Sequence, residues 1–141
     1  MNGLNPNTVP GLNSNPLLDY LGIRLESVDF GVAIFELQIQ ERHLNRQGSL
    51  QGGVVATLMD AACGYAGLTE VDGGSMENAV TISLNISYMS KINNGKLRAI
   101  GNVTRKGRSI YFSSGELVSD TGDLIATAQG AFKRQQPRTE I

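Results

Sequence analysis

The stretch GGVVATLMDAACGYAG, residues 52–67, constrains the fold most. At helical spacing it is apolar or small on nearly every side, through Val54, Val55, Ala56, Leu58, Met59, Ala61, Ala62, Tyr65 and Ala66. A helix with no polar face must be buried on most sides. It is the only long helix the sequence offers, so the rest of the chain must cover it with something else. That cover reads as strands.

Upstream, GVAIFELQIQ (31–40) sets Ala33, Phe35, Leu37 and Ile39 on one side of a period of two, with Glu36, Gln38 and Gln40 opposite. This is the pattern of a half-buried strand. IRLESVDF (23–30) is its hairpin partner, turning near residues 29–31. Downstream, AVTISLNISYMS (79–90) alternates Val80, Ile82, Leu84, Ile86 and Tyr88 with Thr81, Ser83, Asn85 and Ser87. Runs at 97–106, 109–119 and 122–134 follow short turns of Asn, Gly, Asp and Lys-Gly-Arg type. Such turns between alternating runs predict hairpins and an antiparallel sheet. The expected architecture is α+β, a single antiparallel sheet curled round one long buried central helix, with a second subunit covering what remains.

A chain of 141 residues suits one domain. Residues 1–15, rich in Asn, Gly and Pro, read as a loose arm, 16–134 as the domain and 135–141 as a tail. PLLDYLG (16–22) reads as a short helix with Pro16 in its first turn and Gly22 at its end. The balance of 12 basic and 13 acidic residues, without Trp and with four Phe, argues against a nucleic-acid partner. The single Cys excludes an internal disulfide. No apolar run approaches the ~18 residues of a membrane span, and the first residues lack a secretory pattern. A soluble cytoplasmic protein is the expectation.

The chemistry centres on Asp60, which sits in the middle of the apolar helix. Its neighbours at three and four residues are Ala56, Thr57, Cys63 and Gly64, none of them a cation. An unpaired carboxylate in apolar surroundings is costly and is kept where it is used. The alternatives are a solvated edge or a bond to a backbone amide. Gly52 and Gly53 open the helix, where free N–H groups and the positive dipole end receive a negative oxygen. Gly52 and Asp60 stand ~12 Å apart along the helix, too far for both to touch one atom within a subunit. That spacing points to Gly52 of one chain working with Asp60 of another. The one histidine, His43, lies in a loop, where a structural role is the commoner use, and one His with one Cys supports neither a metal site nor a Cys/His pair. Asn45 either turns its amide to a substrate or closes a turn.

The pattern His43-x-Asn45-x-x-Gly48-x-x-Gln51-Gly52-Gly53, with Asp60 in the following helix, resembles the PaaI-like acyl-CoA thioesterases of the hotdog fold. The segment from 79 to a last strand ending Gly-x-Phe is similar to that family as well, so the likeness spans about 16 to 133. The resemblance implies an acyl-CoA substrate, no separate cofactor and no metal, dimers joined sheet edge to sheet edge, and pairs of dimers forming homotetramers. It also implies roles: Asp60 as base or nucleophile, the Gly52 amide as oxyanion hole, Asn45 placing the carbonyl or the water, and Thr81 holding the water near Asp60.

One departure stands out. Where the family has His-Gly-Gly, this chain has Gln51-Gly52-Gly53, and Gln neither carries charge nor relays a proton. Gln51 serves if the position only orients groups. Otherwise a weaker enzyme follows, or a non-catalytic protein that binds acyl thioesters. A hydratase or dehydratase is less well equipped, since it would need His43. Leu58, Met59, Cys63 and Tyr65 are candidate walls for the acyl group, with ordinary core the commoner use of each, and Gly53 is a substrate-binding candidate that lets a ligand approach the helix start. Arg105 and Arg108 are the favoured cations for coenzyme A phosphates, with Lys91 and Lys106 in reserve.

Overall fold

The computed structural model describes residues 15–68 and 78–135. The expected arm and tail therefore fall outside the described residues except at their inner ends. There Asn15 caps the first helix and Gln135 closes the last strand.

The elements are α1 (Pro16–Leu21), β1 (Arg24–Asp29), β2 (Val32–Gln38), a 3-10 turn (Glu41–His43), α2 (Gly52–Ala66), β3 (Asn78–Tyr88), β4 (Lys96–Lys106), β5 (Ile110–Ser119) and β6 (Leu124–Gln135). The six strands form one antiparallel sheet in the order β1-β2-β4-β5-β6-β3. α2 leaves the β2 side and delivers the chain to β3 at the opposite edge, so it lies across the concave face. The short helix ends as expected: Asn15 Oδ1 accepts from the Leu18 amide, and Gly22 takes the left-handed conformation at φ 78°.

α2 buries Val54, Val55, Leu58, Met59, Ala61, Ala62, Cys63 and Ala66 against Phe35, Leu37, Leu97, Leu117, Tyr111 and Phe132. Each large side chain so buried contributes about 1.5–3 kcal/mol. The helix sits unusually deep because two paired residues of β4 and β5 are glycines, Gly101 and Gly115. A Cβ on Gly101 would lie 2.1 Å from the Ala62 carbonyl oxygen, and one on Gly115 would lie 2.8 Å from Cys63 Sγ. The C-terminal end of α2 is tied down in turn: the Tyr111 hydroxyl donates to Gly64 O, and Arg134 Nη2 donates to Gly67 O at 3.1 Å.

β3 departs from the alternation read in its sequence. A bulge between Thr81 and Ser83 inserts Ile82 and shifts the side-chain parity. Before it, Ala79 and Thr81 face the helix; after it, Leu84, Ile86 and Tyr88 do. Val80 and Ile82 thus fall out of the apolar face assigned to them and are 44% and 54% exposed.

The glycine pair yields a stability test by urea unfolding. Gly101→Ala is expected to cost about 3 kcal/mol or more, because the obstacle is helix backbone. Gly115→Ala is expected to cost less, and Cys63→Ala should relieve it but not Gly101→Ala, because its obstacle is a sulfur that can move.

Candidate active site

Asp60 is half-buried on the face of α2 that looks toward β3. The Thr81 hydroxyl donates to Asp60 Oδ1 at 2.7 Å. The bulge at Ile82 makes this possible, since unbroken alternation from Leu84 would turn Thr81 to the far side of the sheet. The pair lies in a cavity of about 240 Å³ that is polar and apolar in equal measure: Leu17, Leu18, Ala61, Leu68 and Phe132 supply apolar wall, and Asn15, Thr57 and Tyr65 join Asp60 and Thr81 with polar groups. Asn15 Nδ2 donates to the Tyr65 hydroxyl at 3.3 Å, tying α1 to α2 over this space, and Tyr65 meets Phe35 edge to face at 4.9 Å.

Gly52 belongs to a second cavity, of about 170 Å³, lined by Asn45, Leu50, Val55, Tyr88, Lys91 and Ile92 among others. Gln51 is the N-cap of α2. Its backbone carbonyl accepts from Val54 and Val55 at 3.0 and 3.2 Å, and its side-chain Oε1 accepts from the Gly52 amide at 3.2 Å. The Tyr88 hydroxyl donates to Gly52 O at 3.0 Å, so β3 holds the first turn of the helix. Asn45 Oδ1 accepts from the Gln47 and Ser49 amides at 2.9 and 3.0 Å. That oxygen closes the loop, while Nδ2 has no protein partner among the described residues.

The two cavities share no residue. Within one chain Asp60 meets Thr81, and Gly52 meets Gln51, Tyr88 and Asn45, but the two groups do not meet each other. Both reach the free edge of β3, one near Thr81 and the other near Tyr88.

The remaining candidates spread out. Leu58, Met59 and Cys63 are fully buried in the core and line neither cavity. Gly53 is exposed at the helix start, with open space where a Cβ would stand. Arg105 is the penultimate residue of β4 and Arg108 lies in the turn after it, both exposed and lining neither cavity. Lys91 is the cation at the Gly52 cavity. His43 is fully buried: Nδ1 accepts from the Gln40 amide at 2.9 Å, which leaves Nε2 to donate to Leu21 O at 2.7 Å. With both ring nitrogens so engaged it is structural, and hydratase chemistry has no histidine to use. No cluster of three His, Cys, Asp or Glu side chains fit to hold a metal occurs among the described residues. No helix among them is long and apolar enough to cross a membrane.

Sequence reasoning missed Tyr88 as a partner of Gly52, and Leu17, Leu18 and Phe132 as walls. Tyr88 carried one available signal: a polar-tipped aromatic ending an apolar strand face needs a partner for its hydroxyl.

One long helix wrapped by a six-stranded antiparallel sheet, with a carboxylate at mid-helix and glycines at its start, defines a hotdog protein of the thioester-hydrolase class. The Thioesterase superfamily model matches residues 47–126, and the chain belongs to that family. The matched span contains Gly52, Asp60, Thr81 and Tyr88. Human acyl-coenzyme A thioesterase 13 is 36% identical over 106 residues, 74% of each chain. The structure of the conserved protein PA5202 from Pseudomonas aeruginosa superposes with a TM-score of 0.79 at 26% identity, covering 87% of this chain and 96% of that one. The E. coli PaaI protein from the phenylacetic acid degradation operon shares the fold, with a TM-score of 0.77 at 23% identity over 87% and 86% of the two chains. The chain is a thioester hydrolase, and acyl-CoA hydrolysis is the activity at family level.

Cys63 lies one turn from Asp60. Burial, and secondarily the Asp60 charge, push its thiol up to about 12. At pH 8 almost no thiolate is present, so a disulfide reagent should leave the native protein unlabelled and react with one thiol per chain in urea. Rapid labelling of the native protein would contradict this burial.

Proposed function

We propose that the protein hydrolyses a small or medium acyl- or aroyl-CoA thioester, in a site completed by a second copy of the chain. The observation that carries this reading is the Thr81–Asp60 hydrogen bond in a cavity with both polar and apolar lining, to which the edge strand β3 contributes Ala79 and Thr81.

The second copy is argued from the edge itself. β3 has eleven residues, NAVTISLNISY, without a charge or a proline. Among the described residues no strand pairs with its outer side. Edge strands left alone usually carry such guards. β1, at the other edge, carries Arg24, Glu26 and Asp29. Antiparallel pairing of β3 with its own copy about the 84–85 midpoint sets the Thr81 end of one chain beside the Tyr88 end of the other. The two cavities then merge, and Asp60 faces the helix start of the second chain. Pairs of such dimers form a tetramer through the outer sheet face, where Val80 and Phe112 are exposed. The cytoplasm is the working compartment.

In this arrangement the Gly52 amide holds the thioester oxygen as it gains charge. Fixed backbone donors of this kind are worth about 10²–10³ in rate. Asp60, oriented by Thr81 through Oδ1, uses its other oxygen as base on water or as nucleophile. A positioned base contributes about 10²–10⁴. Thr81 orients the carboxylate, the Asn45 Nδ2 group places the carbonyl or the water, and Lys91 joins Arg105 and Arg108 as cations for the coenzyme A phosphates. The C–S bond breaks, and the thiol and the carboxylic acid leave.

Release of coenzyme A from a panel of acyl and aroyl thioesters tests the chemistry. Asp60→Asn is expected to lose at least ~10²-fold in kcat, and Thr81→Val about tenfold through disorientation of the carboxylate. Hydrolysis undiminished in Asp60→Asn would end the proposal. A single turnover in oxygen-18 water separates nucleophile from base, since only a nucleophile carries label into the Asp60 side chain.

Gly52→Pro offers a clean test of the shared site. Proline is accommodated at the first helical position, and Gln51 already has the extended backbone, φ −65° and ψ 135°, required before it. The variant removes the donor and is expected to lose about 10²–10³ in kcat. Refolding Gly52→Pro together with Asp60→Asn should restore up to about a quarter of wild-type activity, because a mixed dimer holds one intact site. No recovery in a mixture shown to contain mixed dimers would place both groups in one chain's site.

A further inference from the structure

The amide assigned to the thioester oxygen is already occupied. Gln51 Oε1 accepts from Gly52 N–H at 3.2 Å. Only the carbonyl side of a carboxamide accepts from an N–H, so Nε2 points away, and it has no protein partner among the described residues. A customary N-cap side chain serves the second or third helical amide. Gln51 instead serves the amide of the very next residue.

The root of this side chain is fixed, and its head is held by the Gly52 amide alone among the described residues. The Gln51 amide donates to His43 O at 2.9 Å, and its carbonyl accepts from Val54 and Val55. The side chain itself is exposed. Asn45, the other carboxamide nearby, differs: its oxygen already accepts two backbone amides.

We propose that Gln51 is an internal stand-in for the substrate carbonyl. In the resting protein its Oε1 satisfies the Gly52 amide. When a thioester arrives, the carboxamide yields that place and turns over, presenting Nε2–H to the same oxygen as a second donor. This rests on the reading of Gly52 given above. The exchange also shapes selectivity toward the reaction. A neutral thioester carbonyl replaces a neutral amide carbonyl with little net gain. The developing oxyanion accepts roughly twice as strongly as either. Occupation by Gln51 therefore offsets ground-state binding and leaves the stabilisation for the transition state.

Gln51→Ala and Gln51→Glu separate the stand-in from a mere cap. Ala removes both acceptor and donor; Glu keeps the acceptor, charged, and removes the donor. By NMR without ligand, the Gly52 amide should exchange with water at least ~3-fold faster in Gln51→Ala and no faster in Gln51→Glu. On hexanoyl-CoA and benzoyl-CoA, Gln51→Ala should lose about tenfold in kcat with KM unchanged or lower. Gln51→Glu should lose ~100-fold or more in kcat/KM while unfolding no earlier than wild type, since a carboxylate is the better helix cap. A mere cap predicts Gln51→Ala with wild-type kcat, and that result overturns the proposal. So does Gly52 exchange unmoved by Gln51→Ala. If wild type hydrolyses no thioester at all, the enzyme reading fails and this one with it. An active wild type with the wrong variant pattern overturns the stand-in alone.

Discussion

The approach of α2 to the sheet at Gly101 and Gly115 is the contact on which the rest depends. Without side chains there, the helix backbone at Ala62–Cys63 rests directly on strand backbone. That depth fixes where every residue of α2 stands relative to β3. Asp60 lies within hydrogen-bonding distance of Thr81, and Gly52 within reach of the Tyr88 hydroxyl, because the helix is this low. Two methyl groups at the glycines would lift the helix and part both pairs. The core therefore sets the geometry of the chemistry as well as the stability of the fold.

A second frame holds the start of α2. His43, fully buried, joins the 3-10 turn to the end of α1 through Gln40 and Leu21. Its carbonyl accepts from Gln51, and the Asn45 side chain closes the loop between them. The loop from 43 to 51 is thus a braced bracket rather than a free connection. It presents the Gly52 amide at a defined place, and it consumes the one histidine in doing so.

The fold was legible because its two signals are long. A helix with no polar face and strands with clean alternation admit few arrangements, and Gly22, Pro16 and the hairpin turns before β2, β5 and β6 fell where expected; the turn at 92–95 makes no hairpin, because β3 pairs with β6 at the far edge while β4 lies between β2 and β5. The site was legible in part. Asp60 stood out as a charge without a local partner, and its spacing from Gly52 along the helix was enough to keep the two groups apart within one chain, as their separate cavities do. The bulge at Ile82 was not legible, because one inserted residue leaves the composition of the strand unchanged while reversing half its faces. Hence Val80 and Ile82 were placed inside when they lie outside. Leu58, Met59 and Cys63 looked like cavity walls because helical periodicity tells which residues are buried, not which of them border a void. The walls supplied by α1 depend on long-range packing that no local pattern carries.

The uncharged length of β3 has a consequence for the newly made chain. Eleven residues of extended backbone, with hydrogen-bonding groups on one open side, are a template for any other extended segment that comes near. A lysine or a proline in the middle of the strand would make a lone subunit safer, and would also spoil the β3–β3 pairing proposed above. On that proposal selection on this strand is pulled two ways, toward an edge that repels stray strands and toward one that accepts its own copy.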